Sequence, residues 1–146
     1  MRISLISFGA IHGIIWFYTN SLIGVNPTVK EYYSELQNEL TNSGYKARMF
    51  VISGRRWGID NWFLSQFGSA SSKSRHKHGE AIDIIVLDVN DDGESNSQDV
   101  DIVYKLLNKK IIRSKGGIGP YKNESGFFNR QMVHFDCRGK RARWHR

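Results

Sequence analysis

Two kinds of apolar spacing alternate along the chain. From Val29 the apolar residues recur every three or four positions, through Tyr32, Tyr33, Leu36 and Leu40, until Ser43-Gly44 stops them; this is the period of a helix with one buried face. Asn26-Pro27-Thr28 supplies its start, because Asn26 is a capping residue and Pro27 suits the first turn, where a missing N–H costs nothing. The stretch 47–53 is short and rich in Met, Phe, Val and Ile, which predicts a strand ending at Ser53-Gly54-Arg55-Arg56. Residues 81–87 and 131–137 read as two further strands, and helical spacing returns between them over 100–112. The 57–67 stretch is aromatic and mixed, a short helix or a loop over the core, and Gly68 to Ser74 is a flexible approach to the second strand. Helix, strand, strand, helix, strand, with no internal repeat, predicts an α+β domain with a small, mostly antiparallel sheet flanked by helices.

The start of the chain has another character. Between Ile3 and Val29 there is no Asp, Glu, Lys or Arg, and ISLISFGAIHGIIWFY reads as an apolar helix behind Arg2. It looks like an export signal or membrane anchor, although Ser4, Ser7, Gly9, His12 and Gly13 interrupt it. Only Thr19-Asn20-Ser21 stands in for a cleavage site. The alternative is a helix packed on the domain, since a bilayer span needs roughly 20 apolar residues. Residues 1–25 are therefore set apart as an apolar segment, and 26–146 as the domain.

Composition narrows the partners. At 146 residues there is room for one domain, and 40% hydrophobic with 24% charged residues is a folded composition, neither disordered nor polytopic. The single cysteine, Cys137, excludes an internal disulfide and any multi-cysteine zinc site. The net charge of +7 favours an anionic partner: nucleic acid, a lipid surface or an acidic cell-wall polymer. The charge is unevenly spread. Arg130, Arg138, Lys140, Arg141, Arg143 and Arg146 crowd the end, while acids gather between Asp88 and Asp101.

Candidate chemistry is densest in Ser74-Arg75-His76-Lys77-His78-Gly79-Glu80-Ala81-Ile82-Asp83. A turn at Gly79 brings the His76 imidazole and the Asp83 carboxylate toward one point. Among the other histidines, His134 lies mid-strand between apolar neighbours that fix its orientation. Two His and one Asp make a three-ligand zinc site that leaves a fourth position for a water made acidic by the metal.

In these residues the chain resembles the zinc-dependent D-Ala-D-Ala carboxypeptidase and L,D-endopeptidase family, related in fold to the hedgehog signalling domain. Ser74, His76, Gly79, Ala81 and Asp83 match its S-x-H-x-x-G-x-A-x-D signature, His134 and Asp136 match the later H-x-D strand, and Ser53-Gly54-Arg55-Arg56 matches an upstream Ser-Gly-x-Arg element. The resemblance covers about residues 51–144. It implies a hedgehog/DD-peptidase-like fold, zinc on His76, Asp83 and His134, Arg56 facing the scissile carbonyl, and a peptidoglycan stem peptide as substrate; a monomer is expected. That substrate together with the possible N-terminal signal predicts export to the periplasm or cell wall, anchored or not, or a phage lysis protein.

A zinc hydrolase also needs a group to take a proton and a cation for the oxyanion. Arg56, at a strand end beside the proposed site, suits the second role. For the first, several branches of that family place a carboxylate three residues, or a histidine two residues, before the last ligand, where this chain has Gln131 and Met132. That raises Asp136, which shares a strand face with His134, with Glu124 and His78 in reserve. Asp136 has a second reading, as the partner that holds a ligand imidazole.

The acidic stretch carries a second metal motif. Asp88, Asn90, Asp92 and Gly93 match positions 1, 3, 5 and 6 of a calcium loop, Glu94 offers a backbone carbonyl, Asn96 falls at position 9 and Asp99 closes it where Glu is usual. The plain alternative is a solvated acidic turn. Two rival functions remain: a catalytically inactive, metal-binding wall binder, and a basic nucleic-acid binder using Arg138 to Trp144. The peptidase reading expects no nucleic acid and uses the same charge to hold an anionic wall.

Overall fold

The computed structural model describes residues 22–55, 74–123 and 130–145. Residues 1–21, Arg56, the 57–67 stretch and Glu124 lie outside them.

Helix α1 (Pro27–Asn42) begins where Asn26 accepts the Thr28 N–H at 2.9 Å and buries Val29, Tyr32, Leu36 and Leu40. Tyr33 is half-buried, with its hydroxyl donating to the Met49 carbonyl at 3.4 Å. Helix α2 (Ser97–Leu106) starts ahead of the expected Val100 and runs on as a π turn over Leu107–Ile111. The reason is a capping box: Asn96 accepts the Gln98 N–H, and Asp99 accepts the Asn96 N–H at 2.9 Å.

Five strands form one sheet in the order β1-β2-β4-β3-β5: β1 (Met49–Ser53), β2 (Ala81–Val86), β3 (Gly117–Asn123), β4 (Arg130–Asp136) and β5 (Ala142–Arg143). The α+β class is as the sequence predicts, but the sheet is mixed rather than mostly antiparallel. β1-β2, β2-β4 and β4-β3 are antiparallel, whereas β5 pairs with β3 in parallel. Because β4 already has a neighbour on each side, the chain leaving it reverses and reaches the outer edge of β3, antiparallel to β4 and hence parallel to β3.

β3 and β5 carry little sequence signal. Gly117-Ile118-Gly119-Pro120 reads as turn material, since Gly and Pro weaken strands. Pro120 lies beyond the two residues of β3 that β5 pairs with, so its missing N–H breaks no bond to β5. Gly119 is required by packing, because a Cβ there would sit inside the Trp144 indole.

The two sheet faces differ. Ile82, Ile84, Val86, Val133, Phe135 and Ile118 are fully buried in the core with Val100, Val103 and Leu107 from the α2 side and Leu36 and Leu40 of α1. Val25, from the segment set apart as N-terminal, joins that core. The opposite face carries Asp83 and His134. Among the described residues no helix is long and apolar enough to cross a membrane.

Candidate metal centre

Three backbone devices bring the site together. The β2-β4 register sets Asp83 directly opposite His134, and directly opposed residues share a face. A bulge between Val51 and Ser53 shifts the end of β1, the kind of kink that re-aims a strand end, and carries Ser53 and Gly54 to His76. Finally, the 3-10 turn Arg75–His78 is closed by Gly79 at φ +68°, the left-handed region that costs glycine nothing. Gly79 also lies so close to the Gly24 carbonyl that no Cβ fits, and its own carbonyl accepts the Asn26 N–H at 2.8 Å. The turn is thereby tied to the start of α1 and tucks in His76, which is 3% exposed.

The side chains converge. His76 Nε2 is 3.3 Å from Asp83 Oδ2 and 3.3 Å from His134 Nδ1, and His134 Nδ1 is 2.7 Å from Asp83 Oδ1. Among the described residues this is the group of three His, Cys, Asp or Glu side chains whose ligand atoms all lie within 4.8 Å of one another. The outward nitrogens have their own partners. His76 Nδ1 is 2.8 Å from the Gly54 carbonyl and 3.4 Å from Ser53 Oγ, while His134 Nε2 is 3.5 Å from Asp136 Oδ2. An N–H donated outward to Gly54 and Asp136 leaves a lone pair on each inward nitrogen, the arrangement by which neighbouring acceptors select a ligand tautomer. Two imidazole nitrogens and a carboxylate oxygen, with no thiolate, are a donor set that fits zinc.

Electrostatics without an ion show how strongly the groups are coupled. Burial pushes the Asp83 carboxyl up, but the imidazoles of His76 and His134 outweigh it and hold it far below the usual carboxylate range. Burial pushes His134 down, yet its hydrogen bonds to Asp136 and Asp83 prevail and raise it to about 9. A proton on His134 thus occupies the place of a cation between carboxylates.

Asp136, raised by the sequence as a proton acceptor, sits on the outer edge of His134, away from the triad. It is fully buried, and its oxygens accept from the Gly117 N–H at 2.9 Å, the Arg138 N–H at 3.1 Å and the Arg138 guanidinium. Burial opposes ionisation, but these donors hold the carboxyl well below its ordinary range. The geometry matches the second of its two readings, a partner that orients His134. Trp144 covers the imidazole, with ring centroids 5.3 Å apart, and its indole N–H reaches the Tyr121 hydroxyl at 3.3 Å.

The remaining candidates are scattered. His78 is exposed on the 3-10 turn, two residues from His76. Gln131 is 1% exposed on the Val133 and Phe135 side of β4, with both amide atoms lacking a hydrogen-bond partner, so the position three residues before His134 faces the core. Met132 is half-buried on the His134 side. Arg56 and Glu124 are outside the described residues.

In the acidic loop the motif side chains bond to the loop's own backbone. Asp88 accepts the Asp92 N–H at 3.0 Å and the Gly93 N–H at 3.2 Å and pairs with Arg48 at 2.9 Å. Asn90 donates to Asp92 Oδ2 at 2.7 Å, and Asp92 Oδ1 accepts the Glu94 N–H at 2.9 Å. Asp99, assigned to close the loop as a ligand, is fully buried instead, with one oxygen on the Val89 and Asn90 N–H groups and the other on Asn96. Among the described residues no three carboxylates of this loop come within ligating distance of one another.

Sequence reasoning missed the Gly54 carbonyl, Arg138 and the placement of Trp144 over His134. The signals for them were the Ser-Gly pair closing β1 and an Arg two residues after Asp136. No family model, no curated protein and no solved structure matches this chain.

Proposed function

We propose that the chain is a zinc-dependent peptidase that hydrolyses an amide bond in peptidoglycan stem peptides. The observation that carries this reading is the convergence of His76, Asp83 and His134, with the outward nitrogen of each imidazole already engaged. The resemblance in Ser74, Gly79, Ala81 and Asp136 supplies the substrate class. A net charge of +7 suits an anionic wall.

His76, Asp83 and His134 would hold the ion, which supplies Lewis acidity and lowers the pKa of water when bound. Gly54 and Asp136 orient the two imidazoles. The Trp144 ring packs against His134 at a tilt, and the half-buried Met132, Ile85 and Tyr121 lie on the same sheet face one register step away. Asp136 is spoken for by Gly117 and Arg138, so proton transfer passes to the reserves, exposed His78 or Glu124. Arg56 keeps the role of oxyanion partner in this reading.

Two observations favour the peptidase over the nucleic-acid binder. Arg138 is turned inward onto Asp136, and Arg143 donates to Asn108 at 2.8 Å and to the Gly116 carbonyl at 2.7 Å. Half the charge of the basic tail is thus spent on the fold itself. The test is metal content and wall hydrolysis of the purified chain beside a His76→Ala, His134→Ala double variant. About one zinc per chain, lost together with hydrolysis in the variant, is expected. Zinc without hydrolysis selects the inactive wall binder, and absence of zinc from both samples removes the reading.

A further inference from the structure

The metal centre has a third layer, held by one side chain. Asp136 is the acceptor beside the outward nitrogen of His134, and it is 0% exposed. A carboxylate that deep requires a compensating cation, since removing one partner of a buried pair strands the other charge. Arg138 provides it in a fork: Nε is 2.8 Å from Oδ1 and 3.0 Å from Oδ2, and Nη2 also reaches Oδ2. Contacts to both oxygens fix the plane of the carboxylate as well as its charge.

The same guanidinium has a second contact. Its carbon lies over the Trp144 ring, 5.2 Å from the centroid, within the range of a cation–π interaction, and Trp144 in turn packs on His134. One side chain therefore braces both the edge partner and the face partner of a single imidazole. The backbone accommodates the fork at Gly117, where a Cβ would collide with Asp136 Oδ2 and the Arg138 guanidinium.

We propose that Arg138 is a positioning residue of the metal centre: through Asp136 and Trp144 it fixes how His134 presents Nδ1, and so sets the affinity of the centre for a divalent ion. The proposal rests on the metal-binding part of the function proposed above, and makes no use of the substrate. A lysine at 138 restores the charge but not the planar fork or the stacking, so the two substitutions separate charge from geometry.

The experiment measures zinc affinity by competition with a chromophoric chelator, and the visible absorption of the cobalt-loaded protein, for the wild-type chain, Arg138→Gln and Arg138→Lys. Loss of a group that orients a metal ligand costs about 10- to 100-fold in metal affinity. Arg138→Gln is expected to fall in that range with shifted cobalt bands, and Arg138→Lys to recover only part of the loss. A wild-type affinity and an unshifted cobalt spectrum in Arg138→Gln, even with a lowered melting temperature, overturn the proposal and leave Arg138 as a fold residue. Should Arg138→Gln not fold, Arg138→Lys decides alone, with wild-type affinity again overturning it. A wild-type chain that takes up no zinc defeats the metal reading itself, an outcome distinct from equal affinities across the series.

Discussion

Two segments of this chain carry metal-ligand residue types at suggestive spacing, and they fold to opposite ends. At His76, Asp83 and His134 the ligand atoms face one another, because the hydrogen-bonding demands of the imidazoles are met from behind by Gly54 and Asp136. In the loop from Asp88 to Asp99 the carboxylates instead meet the demands of the backbone. They accept N–H groups of Val89, Asn90, Asp92, Gly93, Glu94 and Asn96, and Arg48 pairs with Asp88 and Asp91. The two segments differ in who meets their hydrogen-bonding demand: groups behind the imidazoles at the triad, and the loop's own N–H groups in the acidic segment.

The largest effect expected from this contrast is on metal content. Asp83→Ala should leave the protein without zinc after dialysis, whereas Asp92→Ala should retain the wild-type content by elemental analysis. Zinc lost from the loop variant, or kept by Asp83→Ala, would break the contrast.

The next effect is of pH. His134 is raised from its ordinary 6.5 to about 9 by its bonds to Asp136 and Asp83 in the ion-free protein, so zinc uptake has to displace a proton. Affinity should climb with pH by up to about tenfold per unit until about 9 and then level off. Stability of the ion-free protein runs the other way. A folded-state pKa above the unfolded one contributes stability that is complete below about 6.5 and lost as pH rises through about 9. Denaturant unfolding of the chelated protein across that window checks the sign, and a rise in stability with pH would contradict it.

Within the loop, Asp99→Ala should cost about 2 kcal/mol in unfolding free energy, because it removes half of a capping box and strands buried N–H groups, while zinc content stays unchanged. The smallest effect is expected from calcium. Millimolar calcium should not move the melting temperature, since the closing side chain of the motif is occupied inside the fold. A rise of several degrees would restore the loop as a cation site.

Local chemistry made much of this molecule legible in one dimension. Helix α1 follows from the period of Val29, Tyr32, Leu36 and Leu40 and from the Asn26-Pro27 cap, and β1, β2 and β4 follow from short runs of Val, Ile, Met and Phe. The residues of the triad were legible too, as histidines and an aspartate beside a Gly79 turn. Harder to see were β3 and β5, whose glycines and proline make sense only against Trp144 and the free edge of the sheet. The direction of β5 was hidden for the same reason, since it depends on which edge remained open once β4 had taken both of its neighbours.

Residue identity and spacing alone settle which side chains are able to ligate, which segments bury an apolar face, and that the end of the chain is basic. Contacts between distant segments are what turn the inner atoms of His76, Asp83 and His134 to one point. They also decide that Asp136 lies behind His134, that Gln131 faces the core, and that Arg138 turns inward. The physical reason is that identity and spacing fix what a group can donate or accept, whereas its partner depends on strand register and on a bulge of one residue, both set by contacts far apart in the chain.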